Sequence, residues 1–277
     1  MQSKEFNSEC ISYLNNSFEV FSQSKEVLKK ALAAFHTVCE KNDIPYYLAF
    51  GSLLGCVRDG LLMPPWDRDI DVVVFFKDRD RLIEALKKDL DGDYGFECEI
   101  TDTKFPYYQM HIFPKGYDSS SYHIDVFYLT TSVNRFRKVE TWKAKVKKVF
   151  TLRKRKYSKI PENLNKQTRM LFKLFRFAYR IYPTVFLDAR SRKLLKDSDG
   201  SLCGIIGSGA EVFPVNIFGE GKVLECEGVS VRVPSDWDAF LTIRYGDYRQ
   251  YLPIADRFDE FIAGVKTLEK PGSRGDL

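Results

Sequence analysis

The segment Leu48-Ala49-Phe50-Gly51-Ser52-Leu53-Leu54-Gly55-Cys56-Val57-Arg58, followed by Pro65-Trp66-Asp67-Arg68-Asp69-Ile70-Asp71-Val72-Val73-Val74, constrains this chain more than any other. An apolar run opens into Gly-Ser, and carboxylates then alternate with apolar residues into a second apolar run. In a strand, side chains at i and i+2 share one face, about 6.5–7 Å apart along the chain. Asp69 and Asp71 are therefore expected to point together, with Ile70 and Val72 facing the opposite layer. Val72 to Phe76 reads as a buried strand, so the acids sit at its entry rather than along an exposed edge. Two carboxylates on one face repel unless a cation or a shared proton relieves them. Mg²⁺ is suited to relieving them, since it takes hard oxygen ligands and is typically held by one or two carboxylates plus substrate phosphate oxygens. Mn²⁺ is the alternative ion. The blander reading is a pair of solvated acids at a strand end. Gly51 and Ser52 would supply close backbone approach and N–H donors for phosphate at a helix start.

A third carboxylate joins the pattern. His123-Ile124-Asp125-Val126-Phe127-Tyr128-Leu129 alternates as a strand, with His123, Asp125 and Phe127 on one face. Tyr108 to Phe113 reads as a strand before it, and Pro114 to Ser121 carries the turn chemistry between the two. A hairpin beside the Asp69/Asp71 strand would bring Asp125 to the same place, as a third ligand or as the general base. His111 and His123 are strand histidines, which are more often structural than basic catalysts; His123 shares the face of Asp125 and is expected at most to orient it.

These blocks resemble a known family. Gly51-Ser52, then Asp69-x-Asp71, then a single later Asp125 is similar to the nucleotidyltransferase superfamily. Phe50 to Arg58 with Pro65 to Asp71 resembles the LicD family more narrowly, a group of bacterial phosphocholine transferases related to the fukutin-type ribitol-phosphate transferases. His123 to Phe127, Val233-Pro234 and Tyr245-Gly246-Asp247-Tyr248 extend the likeness, which runs from about residue 30 to 255. Arg68 departs from it, standing where many relatives carry an acid, and Leu61-Leu62-Met63-Pro64 is a variant lead into Pro-Trp.

The resemblance implies an α/β fold of the mixed α+β kind, a nucleotidyltransferase-like core of a small mixed β-sheet flanked by helices. It also implies an enzyme that moves a phospho-alcohol, phosphocholine first, from a CDP-alcohol donor to a hydroxyl of a glycan or its lipid-linked precursor, with release of CMP. CDP-ribitol, CDP-glycerol and CDP-ethanolamine are alternative donors. Transfer of NMP from an NTP by the same carboxylates, and a non-catalytic scaffold, are the competing functions. In this reading Asp69, Asp71 and Asp125 are the catalytic and metal-holding set, and Asp67 either joins the metal or orients a ligand from behind. Gly51, Ser52 and Arg58 contact nucleotide phosphate. Trp66 either stacks on a base or quaternary ammonium or packs beside Pro65. Tyr245 and Asp247 contact substrate or simply form a helix C-cap and turn.

At 277 residues the chain is long enough for a full core, and 44% hydrophobic with 29% charged residues is ordinary for a globular protein. Residues 1–23 lack the apolar core of a signal peptide, and no apolar run is long enough for a membrane span. The six cysteines show no C-x-x-C spacing, which argues against structural zinc and a disulfide framework and for a reducing, cytoplasmic setting. The expected organisation is a catalytic core with an N-terminal helix over 1–140, a basic helical insertion over 141–200, and C-terminal strands and a helix over 201–277 completing the same domain.

Net charge is only +5, yet between Lys143 and Lys193 the acids are Glu162 and Asp188 alone. Arg169, Lys173, Arg176 and Arg180 fall on one helical face among apolar and aromatic residues of the 169–182 segment. Three readings stay open: a core helix with a solvated basic face, an interfacial helix on anionic membrane at the inner face of the cell membrane, or an anion-binding surface. Nucleic acid is disfavoured, because no recognisable nucleic-acid module accompanies the stretch.

Overall fold

The computed structural model describes residues 24–62, 69–98, 109–117, 122–131, 200–206 and 211–251, with isolated positions 22, 119, 166, 167, 170 and 193. Helix α1 covers 24–41 and buries Leu28, Leu32 and Phe35 completely. It is followed by β1 (Tyr46–Leu48), α2 (Phe50–Leu54) with a π-helical turn over Gly55–Asp59, β2 (Ile70–Phe75), α3 (Arg79–Asp89), β3 (Tyr94–Cys98), β4 (Met110–Pro114) and β5 (Ile124–Thr130). Beyond the basic segment come β6 (Leu202–Ile205), β7 (Val212–Pro214), β8 (Lys222–Cys226), β9 (Val229–Val233) and α4 (Trp237–Tyr245).

Among the described residues, seven strands form one mixed sheet in the order β1-β2-β5-β4-β3, with β6 pairing β5 and β7 pairing β6. The β2–β5 pair is parallel and the other pairs are antiparallel. This is the mixed sheet flanked by helices that the sequence implies. On one face, Ile70, Val72 and Val74 line up with Ile124, Val126 and Tyr128, all fully buried. Tyr46, in register with Val74, meets Phe35 of α1 edge-on at 5.1 Å, which places α1 over this face. The end of α1 is tied to α3 through Lys41–Asp89 (2.6 Å) and by Arg81 donating to the carbonyls of Asn42 and Asp43.

The opposite face carries Asp71, Val73 and Phe75. Phe218 packs on Phe75 and Tyr47, and Phe213 stacks on Phe240 of α4 at 4.7 Å. Phe50 of α2 meets Phe127 edge-on at 5.4 Å. Aromatic packing thus seats α2 and α4 on the face that bears the carboxylates. The β8–β9 hairpin turns at Glu227-Gly228, both at positive φ (51° and 77°), the backbone a two-residue hairpin loop requires.

Several local expectations are corrected. The helix start expected at Gly51-Ser52 lies at Phe50, and the helix widens to a π-turn at Gly55. The strand expected from Tyr108 starts at Met110. Asp78 precedes α3, but its side chain makes no cap bond and pairs with Arg81 at 2.9 Å. Strands β3, β6 and β7 have no counterpart among the expected elements.

Candidate active site

The site begins at the corner between β1 and α2. Ala49 is extended and Phe50 turns left-handed (φ 47°), a conformation that costs a bulky residue about 1–2 kcal/mol. Packing against Phe127, Phe240 and the Arg244 guanidinium, 5.1 Å from the Phe50 ring centre, holds it there. The turn swings Ser52 under β2. Its hydroxyl is fully buried, accepts from the Asp71 N–H (3.0 Å) and lies 3.4 Å from the Asp69 carbonyl, to which it donates. The Ala49 N–H donates to the Asp71 carbonyl at 2.9 Å. Both backbone groups of Asp71 are therefore fixed by the corner.

Strand pairing then assembles a polar row. Asp71 on β2 is in register with Asp125 on β5, Asp125 with His111 on β4, and His111 with Glu97 on β3. Register partners share a face and adjacent strands lie about 4.7–4.9 Å apart, so Asp71 and Asp125 project side by side. Asp69 stands one residue ahead of β2, half-buried, at the alternation position of Asp71. The oxygen donors of Asp69, Asp71 and Asp125 fit a hard divalent cation completed by water and phosphate oxygens.

Asp125 is the most crowded member. Gln109 Nε2 donates to its Oδ1 at 2.7 Å, His111 Nε2 lies 3.0 Å from the same oxygen, and His123 Nε2 is 3.6 Å from Oδ2. The two imidazole rings stack at 3.9 Å, and Glu97 Oε1 sits 3.3 Å from His111 Nδ1. One ligand atom from each of His111, His123 and Asp125 fits within 4.8 Å of the others, a grouping able to hold a metal ion. Burial pushes the Asp125 carboxyl up, but the two imidazoles outweigh it and hold the group well below the usual carboxylate range. For His111, burial disfavours the charged ring, while Asp125 and Glu97 together prevail and raise its pKa. An anion so stabilised is a poor proton acceptor and a good ligand.

The remaining expected residues divide. The Ser52 hydroxyl braces the β2 backbone: it is fully buried and bonded on both sides. Gly51 is half-buried in the same corner. Arg58, expected on phosphate, is spent within the fold: it pairs with Asp59 (2.9 Å), donates to the Tyr248 carbonyl (3.1 Å) and covers the Tyr251 ring. Tyr245 is exposed and close to Arg244; Asp247 is exposed and accepts from Gln250. Tyr248 of the same block is buried, its hydroxyl on Asp238. Trp66 and Asp67 lie outside the described residues, as does nearly all of the 169–182 segment.

Glu97 and Gln109 escape sequence reasoning. Glu97 lies on a strand interrupted by Gly95, although Tyr94, Phe96 and Cys98 alternate around it. Gln109 comes into reach of Asp125 only once the β4–β5 register is known.

Residues 43–163 match the family model described as LicD/FKTN/FKRP, nucleotidyltransferase domain. The lipopolysaccharide cholinephosphotransferase LicD of Haemophilus influenzae is 24% identical over 246 residues, covering 80% of this chain and 89% of that protein. The matched span contains the β1–α2 corner and the whole Asp71–Asp125–His111–Glu97 row. By this fold and these matches, the chain is similar to the LicD family, over residues 43–163 by the family model and over 80% of its length by the Haemophilus relative.

Proposed function

We propose that this chain is a transferase that moves phosphocholine from CDP-choline to a hydroxyl of a cell-surface glycan or its lipid-linked precursor, releasing CMP. One observation carries the reading: Asp71 and Asp125 stand in register on adjacent parallel strands, with Asp69 just upstream. Such a pair would hold a divalent cation, which would supply positive charge against a pyrophosphate. The Haemophilus relative is by name a cholinephosphotransferase acting on lipopolysaccharide, which favours choline and a glycan acceptor over the other CDP-alcohols.

In the reaction an acceptor oxygen forms a bond to the phosphorus bearing the choline, and the bond from that phosphorus to the bridging oxygen breaks. CMP departs with the bridging oxygen, and the acceptor proton passes to solvent or a base. Mg²⁺ or Mn²⁺ held here would neutralise charge on the pyrophosphate and the leaving CMP. Asp69 and Asp71 hold the ion side of the site. Ser52 and Ala49 keep the Asp71 backbone fixed, and Asp125, kept ionised, presents oxygen rather than taking the proton. In this reading Tyr245 and Asp247 would serve the substrate side, and the basic residues of the 169–182 segment would meet anionic lipid at the inner membrane face, where a lipid-linked acceptor is reached. Among the described residues no helix is long and apolar enough to cross a membrane.

Incubation of the purified protein with CDP-choline, CDP-ethanolamine, CDP-glycerol, CDP-ribitol and CTP, with Mg²⁺ and candidate glycans, tests the reading. CMP release that depends on CDP-choline, falling by about 10³-fold in Asp71→Asn, supports it; losing a metal ligand removes several kcal/mol of transition-state stabilisation. Pyrophosphate released from CTP would replace it with NMP transfer, and full turnover by Asp71→Asn would remove Asp71 from the chemistry.

A further inference from the structure

His123 makes no hydrogen bond among the described residues. Its Nδ1 is buried without a partner, and its Nε2 stands 3.6 Å from Asp125, too far for a hydrogen bond. A half-buried imidazole with one nitrogen orphaned and the other short of a hydrogen bond is left to be satisfied from outside the protein. His111 Nε2 lies 3.0 Å from Asp125 Oδ1 and 3.1 Å from Gln109 Nε2, with Glu97 3.3 Å from its Nδ1. The Nε2 atoms of both imidazoles thus face the Asp125 carboxylate, where a cation would meet all three side chains.

We propose that His111, His123 and Asp125 hold a divalent transition metal ion of the zinc class, distinct from the hard cation at Asp69 and Asp71 and sharing Asp125 with it. The donor spacing fits. Tetrahedral ligands about 2.0–2.1 Å from zinc stand roughly 3.3 Å apart; His111 Nε2 lies 3.0 Å from Asp125 Oδ1, His123 Nε2 lies 3.6 Å from Oδ2, and one ligand atom from each residue fits within 4.8 Å of the others. Two imidazoles and one carboxylate select zinc, cobalt or iron over magnesium, which prefers oxygen. Glu97 behind His111 is the outer carboxylate that fixes the tautomer of a ligating histidine. Gln109 braces Asp125 from the side. Three protein ligands leave a fourth position, as in zinc sites that act on substrate rather than hold the fold together.

The proposal leans on the phosphotransfer reading only through the shared Asp125, so the two are tested apart. Metal-stripped full-length protein is titrated with Co²⁺, followed by visible d–d absorption and displacement with Zn²⁺, while CMP release is assayed separately with Mg²⁺. One equivalent of Co²⁺ giving absorption bands is expected, with the bands lost in His123→Gln and retained in Asp71→Asn. Glu97→Gln, outside the ligand set and gentler on folding, weakens binding by about 10–100-fold. No Co²⁺ bands in wild-type protein, or bands unchanged in both His123→Gln and Glu97→Gln, overturn the proposal. Mg²⁺-supported CMP release without Co²⁺ uptake refutes this site and leaves the transferase reading standing; Co²⁺ uptake without CMP release does the reverse.

Discussion

Ser52 links the Gly-Ser corner to the chemistry without touching it. Its hydroxyl is the acceptor for the Asp71 N–H, so Ser52→Ala leaves that backbone donor without its partner beside a half-buried carboxylate. Stranding a buried donor costs about 1–3 kcal/mol. The variant is expected to lose that much stability in denaturant titrations at unchanged slope, and to lose turnover as well because the Asp71 backbone is freed. The three acids are legible as a set because alternation fixes the facing of a strand residue from sequence alone. The partners of Asp125 are less so: His123 reads as an orienter, but the weight of His111, Gln109 and Glu97 depends on which strands pair and in what register, a long-range fact that local pattern does not carry.

At the scale of elements, strands β2 and β5 and helices α1 and α4 are legible because each has a sustained period and a recognisable start or stop. Asp236 caps α4 through the Ala239 N–H, for example, and Gly246 (φ 68°) ends it. Short elements are not: β6 and β7 have four and three residues and owe their existence to β5 and to each other. The hairpin β8–β9 shows how distant elements shape the site. Glu227 at its turn accepts from the Leu62 N–H (2.9 Å) and pairs with Lys25 (2.6 Å), pinning the chain that leaves the π-turn toward Asp69. Glu227→Ala is expected to cost about 1–3 kcal/mol, chiefly by stranding that donor, and to raise protease sensitivity near Leu62. An unchanged unfolding midpoint would remove the clamp. His36 on α1 offers a pH test of the packing over the other face. Burial lowers its pKa despite Glu40, and its Nδ1 lies 2.9 Å from the Tyr46 hydroxyl. A histidine depressed in the folded state contributes stability above the unfolded value, near 6.5, and loses it as pH falls through the folded value. The destabilisation caused by His36→Gln should therefore shrink between pH 7.5 and 5.5; a difference that grows toward acid would contradict the burial.

On the scale of the whole molecule, the site draws on segments far apart in sequence: the corner at 49–52, the acids at 69–71, the β3–β5 row, and α4, whose Arg244 and Phe240 steady Phe50. A ligand that bridges them binds only the assembled fold, so it must stabilise the molecule globally rather than one loop. At a hundred times its dissociation constant such a ligand adds about 2.7 kcal/mol, which for a chain of this size raises the melting temperature by roughly 5–10 °C. CDP-choline with Mg²⁺ is expected to give that shift, EDTA to abolish it, and Asp71→Asn to lack it while melting near the wild-type temperature alone. The last comparison is the discriminating one. Asp71 and Asp125 stand side by side as like charges, so neutralising one relieves their repulsion. A nucleotide shift that survives Asp71→Asn would place the donor away from the paired strands, and the carboxylate row would then belong to the fold rather than to the reaction.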